Sequence, residues 1–296
     1  MPRPSATSGP QTAASLAARM PPLVLAARRL AATLAQGRHN RRRPGPGEGF
    51  LQHRPYRTGD SPRQIDWRAS ARHDHPLIRE YERDTARTLL LWRDGSASMD
   101  FRSAANLHSK KEQADILLLA LTMLALSADE RVLWLEGSDQ HPVRHFHDLA
   151  AIIAASDHKA PLPAPPPPRP GTVMLLAGDF LDPLEQTEHL LSRMHAQGLG
   201  GVLLQILDPA EYALPYRGAA LFEDPEGPDR LNIDRVQDMT GTYRAHMRAR
   251  CHALRDLCLK RGWTALLHRT DHALPPVLLA LHRALSHDRL NGRRQP

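Results

Sequence analysis

The chain has 296 residues, 41% of them apolar, enough to build one large or two small hydrophobic cores without disulfide staples. Its formal charge is +7, from 39 basic and 32 acidic residues. Lys occurs only at 110, 111, 159 and 260, so the basic charge is nearly all Arg, a bias that does not by itself mark a nucleic-acid binder.

Residues 1–14 are rich in Pro, Ser, Thr, Ala and Gly and carry no apolar period, so a disordered tail is expected there. Leu23, Leu25, Leu30, Leu34 and intervening alanines predict a helix within 16–36, opening near Pro21 and Pro22 and ended by Gly37. The stretch Met20–Ala27 closes on Arg28 and Arg29 without a cleavage site, unlike a signal peptide. The run 38–49, with Arg41, Arg42 and Arg43 and then Pro44-Gly45-Pro46-Gly47, reads as a solvated basic loop. Short strands are predicted near 52–56 and 76–83, with a helical turn near 63–70. Together, residues 15–87 are expected to form a leading segment before the main domain.

The pattern then changes. Continuous apolar runs predict buried strands at 88–92 and 172–177, and further strands at 131–136, 201–207 and 263–268. Helices are predicted at 110–127, 146–156, 183–197, 236–261 and 275–286, with a Pro-rich connector over 160–170 and an irregular stretch between 207 and 236. Strands alternating with helices imply an α/β fold: a mostly parallel sheet with helices on both faces, spanning 88–288, before a tail at 289–296. The longest charge-free apolar run, Ile116 to Ala128, has 13 residues, short of the roughly 20 that a membrane-spanning helix needs. A cytoplasmic location is therefore expected. Cys251 and Cys258 share a helical face about 10 Å apart, beyond disulfide reach, and both are expected to be buried.

The most informative polar motif is Asp94-x-Ser96-x-Ser98, directly after the first buried strand. Open α/β sheets bind ligands at strand carboxyl ends, and one carboxylate with two hydroxyls offers hard oxygen ligands suited to Mg²⁺ or Mn²⁺. Asp179, at the end of the strand over 172–177, supplies a second carboxylate that would face the same crevice. The alternative reading is that Asp94 and the serines cap the following turn. A second polar block carries Asp60, Arg63, Asp66 and Arg72 beside Trp67. It reads as an ion network docking the leading segment through a buried aromatic, or as a partner-facing surface. His141, His145 and His147 have a spacing compatible with metal ligation but lie in a polar loop pattern. No P-loop, H-E-x-x-H or G-x-G-x-x-G is present, so nucleotide hydrolysis, zinc proteolysis and dinucleotide redox chemistry have no motif support.

A set of motifs resembles the bacterial domain of unknown function 58 family, whose members contain a von Willebrand factor A-like domain. They are Arg54-x-Tyr56, Gly59-Asp60, Arg63-x-Ile65-Asp66-Trp67, Ser70-Ala71-Arg72, Arg79-Glu80 to Glu82, Asp94-x-Ser96-x-Ser98-Met99, and Asp208-Pro209-x-Glu211 with Leu214-Pro215. The resemblance implies a von Willebrand A-like fold and a site like the metal-ion-dependent adhesion site, with Asp94, Ser96, Ser98 and Asp179 as the ligands that carry over. It also implies a binding role rather than catalysis, in company with a MoxR-type AAA+ ATPase partner in assembly or maturation. The full adhesion site takes a Thr from a loop between the two Asp residues. Here only Thr122, inside a predicted helix, and Thr172, at a strand start, lie between Asp94 and Asp179. The rival readings are a metal-dependent hydrolase using the same crevice and a nucleic-acid binder using Arg41–Arg43.

Overall fold

A computed structural model describes residues 13–38, 50–56, 65–73, 75–81, 87–155, 162–165, 167 and 171–291. Two compact units divide it: one formed by 1–38 with 87–296, the other by 39–86.

The larger unit is built on a six-stranded sheet. Its strands are β3 (Thr88–Arg93), β4 (Arg131–Glu136), β5 (Asp139–Val143), β6 (Thr172–Gly178), β7 (Gly200–Leu207) and β10 (Thr264–Arg269), in the order β10-β7-β6-β3-β4-β5. All pairings are parallel except β4 with β5. Counted in chain order within this sheet, the strands run 3-2-1-4-5-6, so the order reverses at β3 and a crevice opens there at the carboxyl edge. This is the mostly parallel α/β architecture that the sequence pattern and the resemblance imply. The edge strand β5 is an addition: its DQHPV sequence carries a proline and no apolar run, which suits an antiparallel edge.

Alternation along the central strands splits the core in two. Leu89, Leu91, Val173, Leu175, Val202 and Leu204 face one helical layer, which holds α3 (Lys110–Leu126), α4 (Phe146–Ala155) and α8 (Leu274–Asn291). Leu90, Trp92, Met174, Leu176 and Leu203 face the other, with α5 (Leu184–Ala196) and α7 (Val236–Lys260). In α3, residues 114–121 are all buried. That all-round burial has a cause outside the sheet: α1 (Ala13–Arg38) belongs to the same unit and adds Leu23, Ala27, Leu30 and Ala31 to the α3 side of the core. The helix expected in the leading segment is thus part of the main unit. It begins within the stretch expected to be a disordered tail, whose residues 1–12 lie outside the described residues. At the other end, α8 runs on to Asn291, into the expected C-terminal tail.

The smaller unit contains an antiparallel ribbon of β1 (Phe50–Pro55) and β2 (Leu77–Tyr81), with the single-turn helix α2 (Trp67–Ser70) between them in sequence. Asp66 caps α2 by accepting from the Ala69 N–H, and the Ser70 hydroxyl donates to Asp66 O and accepts from Leu77 N–H. Trp67, expected to be a buried aromatic anchor, is 68% exposed, because its helix offers no buried position. Arg72 is also exposed. Asp60, Arg63 and the Arg41–Arg43 run lie outside the described residues.

The stretch expected to be irregular between β7 and α7 holds α6 (Pro209–Ala213) and a two-stranded antiparallel arm, β8 (Ala220–Glu223) with β9 (Arg230–Ile233). Neither cysteine is in a disulfide. Cys258 is buried, while Cys251 is only half-buried. No helix among the described residues is long and apolar enough to cross a membrane.

Candidate functional site

The crevice at the carboxyl ends of β3 and β6 is assembled from the backbone outward. Asp94 N–H donates to Ala177 O at 2.8 Å, so the residue after β3 remains tied to β6. Gly178 makes this approach possible, since a Cβ there would stand 3.0 Å from Asp94 Cβ. Asp94 Oδ1 then accepts from Ser96 N–H at 2.8 Å, closing the turn that leads into a 3₁₀ segment over Ala97–Asp100.

The four residues expected to converge do so. Ser96 Oγ lies 3.1 Å from Ser98 Oγ, and the Ser98 hydroxyl donates to Asp179 Oδ2 at 2.6 Å. Asp179 is buried and is followed by Phe180 at φ +50°, a left-handed conformation that is costly for an aromatic residue. The Gln205 amide, donating to Asp179 O, and Arg250, donating to Phe180 O and to Asp182 O, hold this strained corner. It aims the Asp179 carboxylate back toward Ser98.

Sequence reasoning missed Lys110. Its side chain is fully buried, and Nζ donates to Asp179 Oδ2 at 2.7 Å and to Glu211 Oε1 at 2.6 Å. Burial disfavours the ammonium, but the charges of Asp179 and Glu211 outweigh it and raise the Lys110 pKa above the usual lysine value. Lys110 is the first residue of α3, whose own N-terminus is already satisfied by a capping box between Ser109 and Glu112. Glu211 divides its carboxylate, Oε1 to Lys110 and Oε2 accepting from Asp208 N–H at 2.8 Å. Asp208, fully buried, accepts from the N–H groups of Ala210 and Ser103. The Asp208-Pro209-x-Glu211 motif is therefore the support that delivers a second counter-charge to Lys110. Behind the turn, buried Arg93 pairs with Asp115 of α3 at 3.3 Å, and burial pushes the Asp115 pKa up to about 6.

The mouth is acidic. Burial raises the Asp94 pKa; the Ser96 N–H opposes this, and the nearby Asp179 and Glu226 charges add to the rise. Glu226, at the tip of the β8–β9 arm, accepts from Ser98 N–H at 3.3 Å, placing the arm against the crevice.

The fit of a divalent ion to these residues is poor. No fully buried oxygen of Asp94, Ser96, Ser98 or Asp179 lacks a hydrogen-bond partner. Asp179, the second acidic ligand of an adhesion-type site, is already paired with a buried ammonium that it shares with Glu211. A threonine ligand does not arrive: Thr122 is buried within α3, and Thr172 starts β6, at the opposite end of that strand from Asp179. No cluster of three or more His, Cys, Asp or Glu suited to a metal occurs among the described residues. His141 lies on β5, 3.7 Å from Glu136, and His145 flanks α4, 3.7 Å from Asp148. With His147 they form no metal-binding group.

Comparison with known proteins places these features in a family. The family described as "Protein of unknown function DUF58" matches residues 52–253. Uncharacterized proteins of Mycobacterium bovis and Mycobacterium tuberculosis are 28% identical over 207 residues, an alignment covering 62% of this chain and 62% of each relative. The chain thus spans less than two thirds of the length of these relatives. Among solved structures, an aerotolerance-related membrane protein from Bacteroides fragilis is 12% identical with a TM-score of 0.42, covering 68% of this chain and 99% of that one. BatB from Bacteroides thetaiotaomicron is 12% identical with a TM-score of 0.41, covering 68% and 98%.

Proposed function

This chain belongs to the DUF58 family, and on that footing we propose that it is a non-catalytic, cytoplasmic interaction protein. Its partner is a protein, a MoxR-type AAA+ ATPase engaged in assembly or maturation of a complex. The crevice formed by Asp94, Ser96, Ser98 and Asp179, together with the β8–β9 arm, is its binding surface.

The observation that carries this reading is the arm itself. It projects Leu221 at 54% exposure and Leu231 at 58%, on its two opposite faces by register, while its tip residue Glu226 touches the Ser98 backbone. Exposed apolar side chains beside a polar crevice are the composition of a recognition surface: apolar anchors with oriented polar contacts. A hydrolase reading finds less support. The buried carboxylates are committed to Lys110, Arg93 and backbone N–H groups, and no His among the described residues takes part in these crevice contacts as a general base.

The test is affinity capture from the source cell with wild type, Asp94→Asn and Leu221→Ser/Leu231→Ser, followed by identification of the captured proteins. Wild type is expected to retain an AAA+ ATPase, and both variants to stay folded and lose it. Hydrolysis of phosphoesters or peptides that Asp94→Asn abolishes would replace the binding reading with the hydrolase one.

A further inference from the structure

The poor fit of a divalent ion and the position of Lys110 have one explanation. Lysine is scarce here, four residues against 35 arginines, yet two of the four open α3. A cation in the first turn of a helix opposes the helix dipole, and α3 does not need one for capping, because Ser109 and Glu112 already close its N-terminus. Lys110 is nevertheless fully buried, between carboxylates contributed by β6 and by the α6 turn. A lysine is suited to that space because its ammonium is a compact point charge with three donors, whereas a guanidinium is a wide planar fork.

We propose that the Lys110 ammonium is the resident cation of this crevice, standing in for the divalent ion of an adhesion-type site, so that the Asp94–Ser96–Ser98 turn is organised and engages its partner without metal. The second half of this statement rests on the binding role proposed above; the first does not. Lys110 bridges Asp179 and Glu211, and Asp179 in turn receives the Ser98 hydroxyl. The charge that fixes the serine turn is therefore supplied covalently by the chain. Asp179 thus has a counter-ion belonging to the chain itself, and a divalent ion would have to displace or repel a buried ammonium to reach it.

Titration calorimetry with MgCl₂ and with MnCl₂ on the wild-type full chain decides the first half. No saturable heat and no rise in melting temperature are expected, whereas saturable binding of either ion that Asp94→Asn abolishes would overturn the proposal. Lys110→Met gives a second reading. Without the ammonium the carboxylates of Asp179 and Glu211 lose the cation that bridges them, so the variant should melt well below wild type. An unchanged melting temperature would overturn the proposal. If Lys110→Met does not fold, the wild-type titrations still decide it. Capture repeated with EDTA tests the second half: unchanged recovery supports metal-free engagement, and loss of the partner overturns it. Capture of no partner in any buffer would defeat the binding role, while the metal titrations would still decide what Lys110 does.

Discussion

A single neutral histidine illustrates how strongly burial sets chemistry in this fold. His268 sits on β10, with Nε2 2.5 Å from Gln113 Oε1, and the Gln113 amide donates to Thr270 O. That network assigns the proton of the neutral ring to Nε2. Burial lowers the His268 pKa to about 4, against an unfolded value near 6.5. Between these values the unfolded chain binds the extra proton, so stability is present above about pH 6.5 and is lost as pH falls toward about 4, by on the order of 3 kcal/mol. Asp115 has the opposite slope, since its raised pKa makes stability fall as pH rises from about 4 to about 6. The two partly cancel in wild type. A His268→Gln variant should lose the opposing His268 contribution and show the falling slope of Asp115 and of the other carboxylates that burial raises, Asp94 and Glu211 among them; a melting curve across this pH range that matches wild type would show that His268 is not held neutral. At this scale Asp94, Ser96, Ser98 and Asp179 were legible in the sequence, because strand-end position and residue type both point to them. Lys110 and Glu211 were not. They join the crevice through α3 and the α6 turn, and hydrophobic periodicity carries no record of which polar residues meet across such distances.

At the scale of elements, apolar patterning located the buried strands and their helices to within a few residues, since a strand covered on both faces must be continuously apolar. It missed β5, β8 and β9, which are short, antiparallel and largely unburied, and it could not say what α1 packs against. Two substitutions test how those elements are held. Leu30 of α1 is buried against the α3 layer, so Leu30→Ala should destabilise the whole larger unit by about 2–5 kcal/mol. An effect below about 0.5 kcal/mol in denaturant melts would mean that α1 is not part of the core. Gly201 of β7 lies so close to β6 that a Cβ would fall 2.0 Å from Met174 O. No side-chain rotation relieves a clash with backbone, so Gly201→Ala must part β6 from β7 and should prevent cooperative folding. A variant that melts like wild type would show that the two strands can separate at little cost.

On the scale of the molecule, the reversal of strand order at β3 explains why the polar residues gather where they do. Successive crossovers leave β3 in opposite directions, so the strand ends there are not roofed by a single helix layer, and Asp94, Asp179 and the start of α3 share the gap. Among the described residues, both hydrophobic clusters that support this gap are drawn from the larger unit, including α1. The smaller unit interrupts the larger one in sequence. A chain in which 39–86 is replaced by a flexible Gly/Ser linker joining Arg38 to Arg87 should therefore keep a cooperative thermal transition and the helix content of the larger unit. It keeps Asp94, Lys110 and the β8–β9 arm as well, so retained partner capture would place recognition wholly on the larger unit. Capture lost from a folded linker variant would assign part of the surface to 39–86, where Trp67 stands exposed. A non-cooperative, molten product would show that the sheet needs the smaller unit to fold, against the division of the cores.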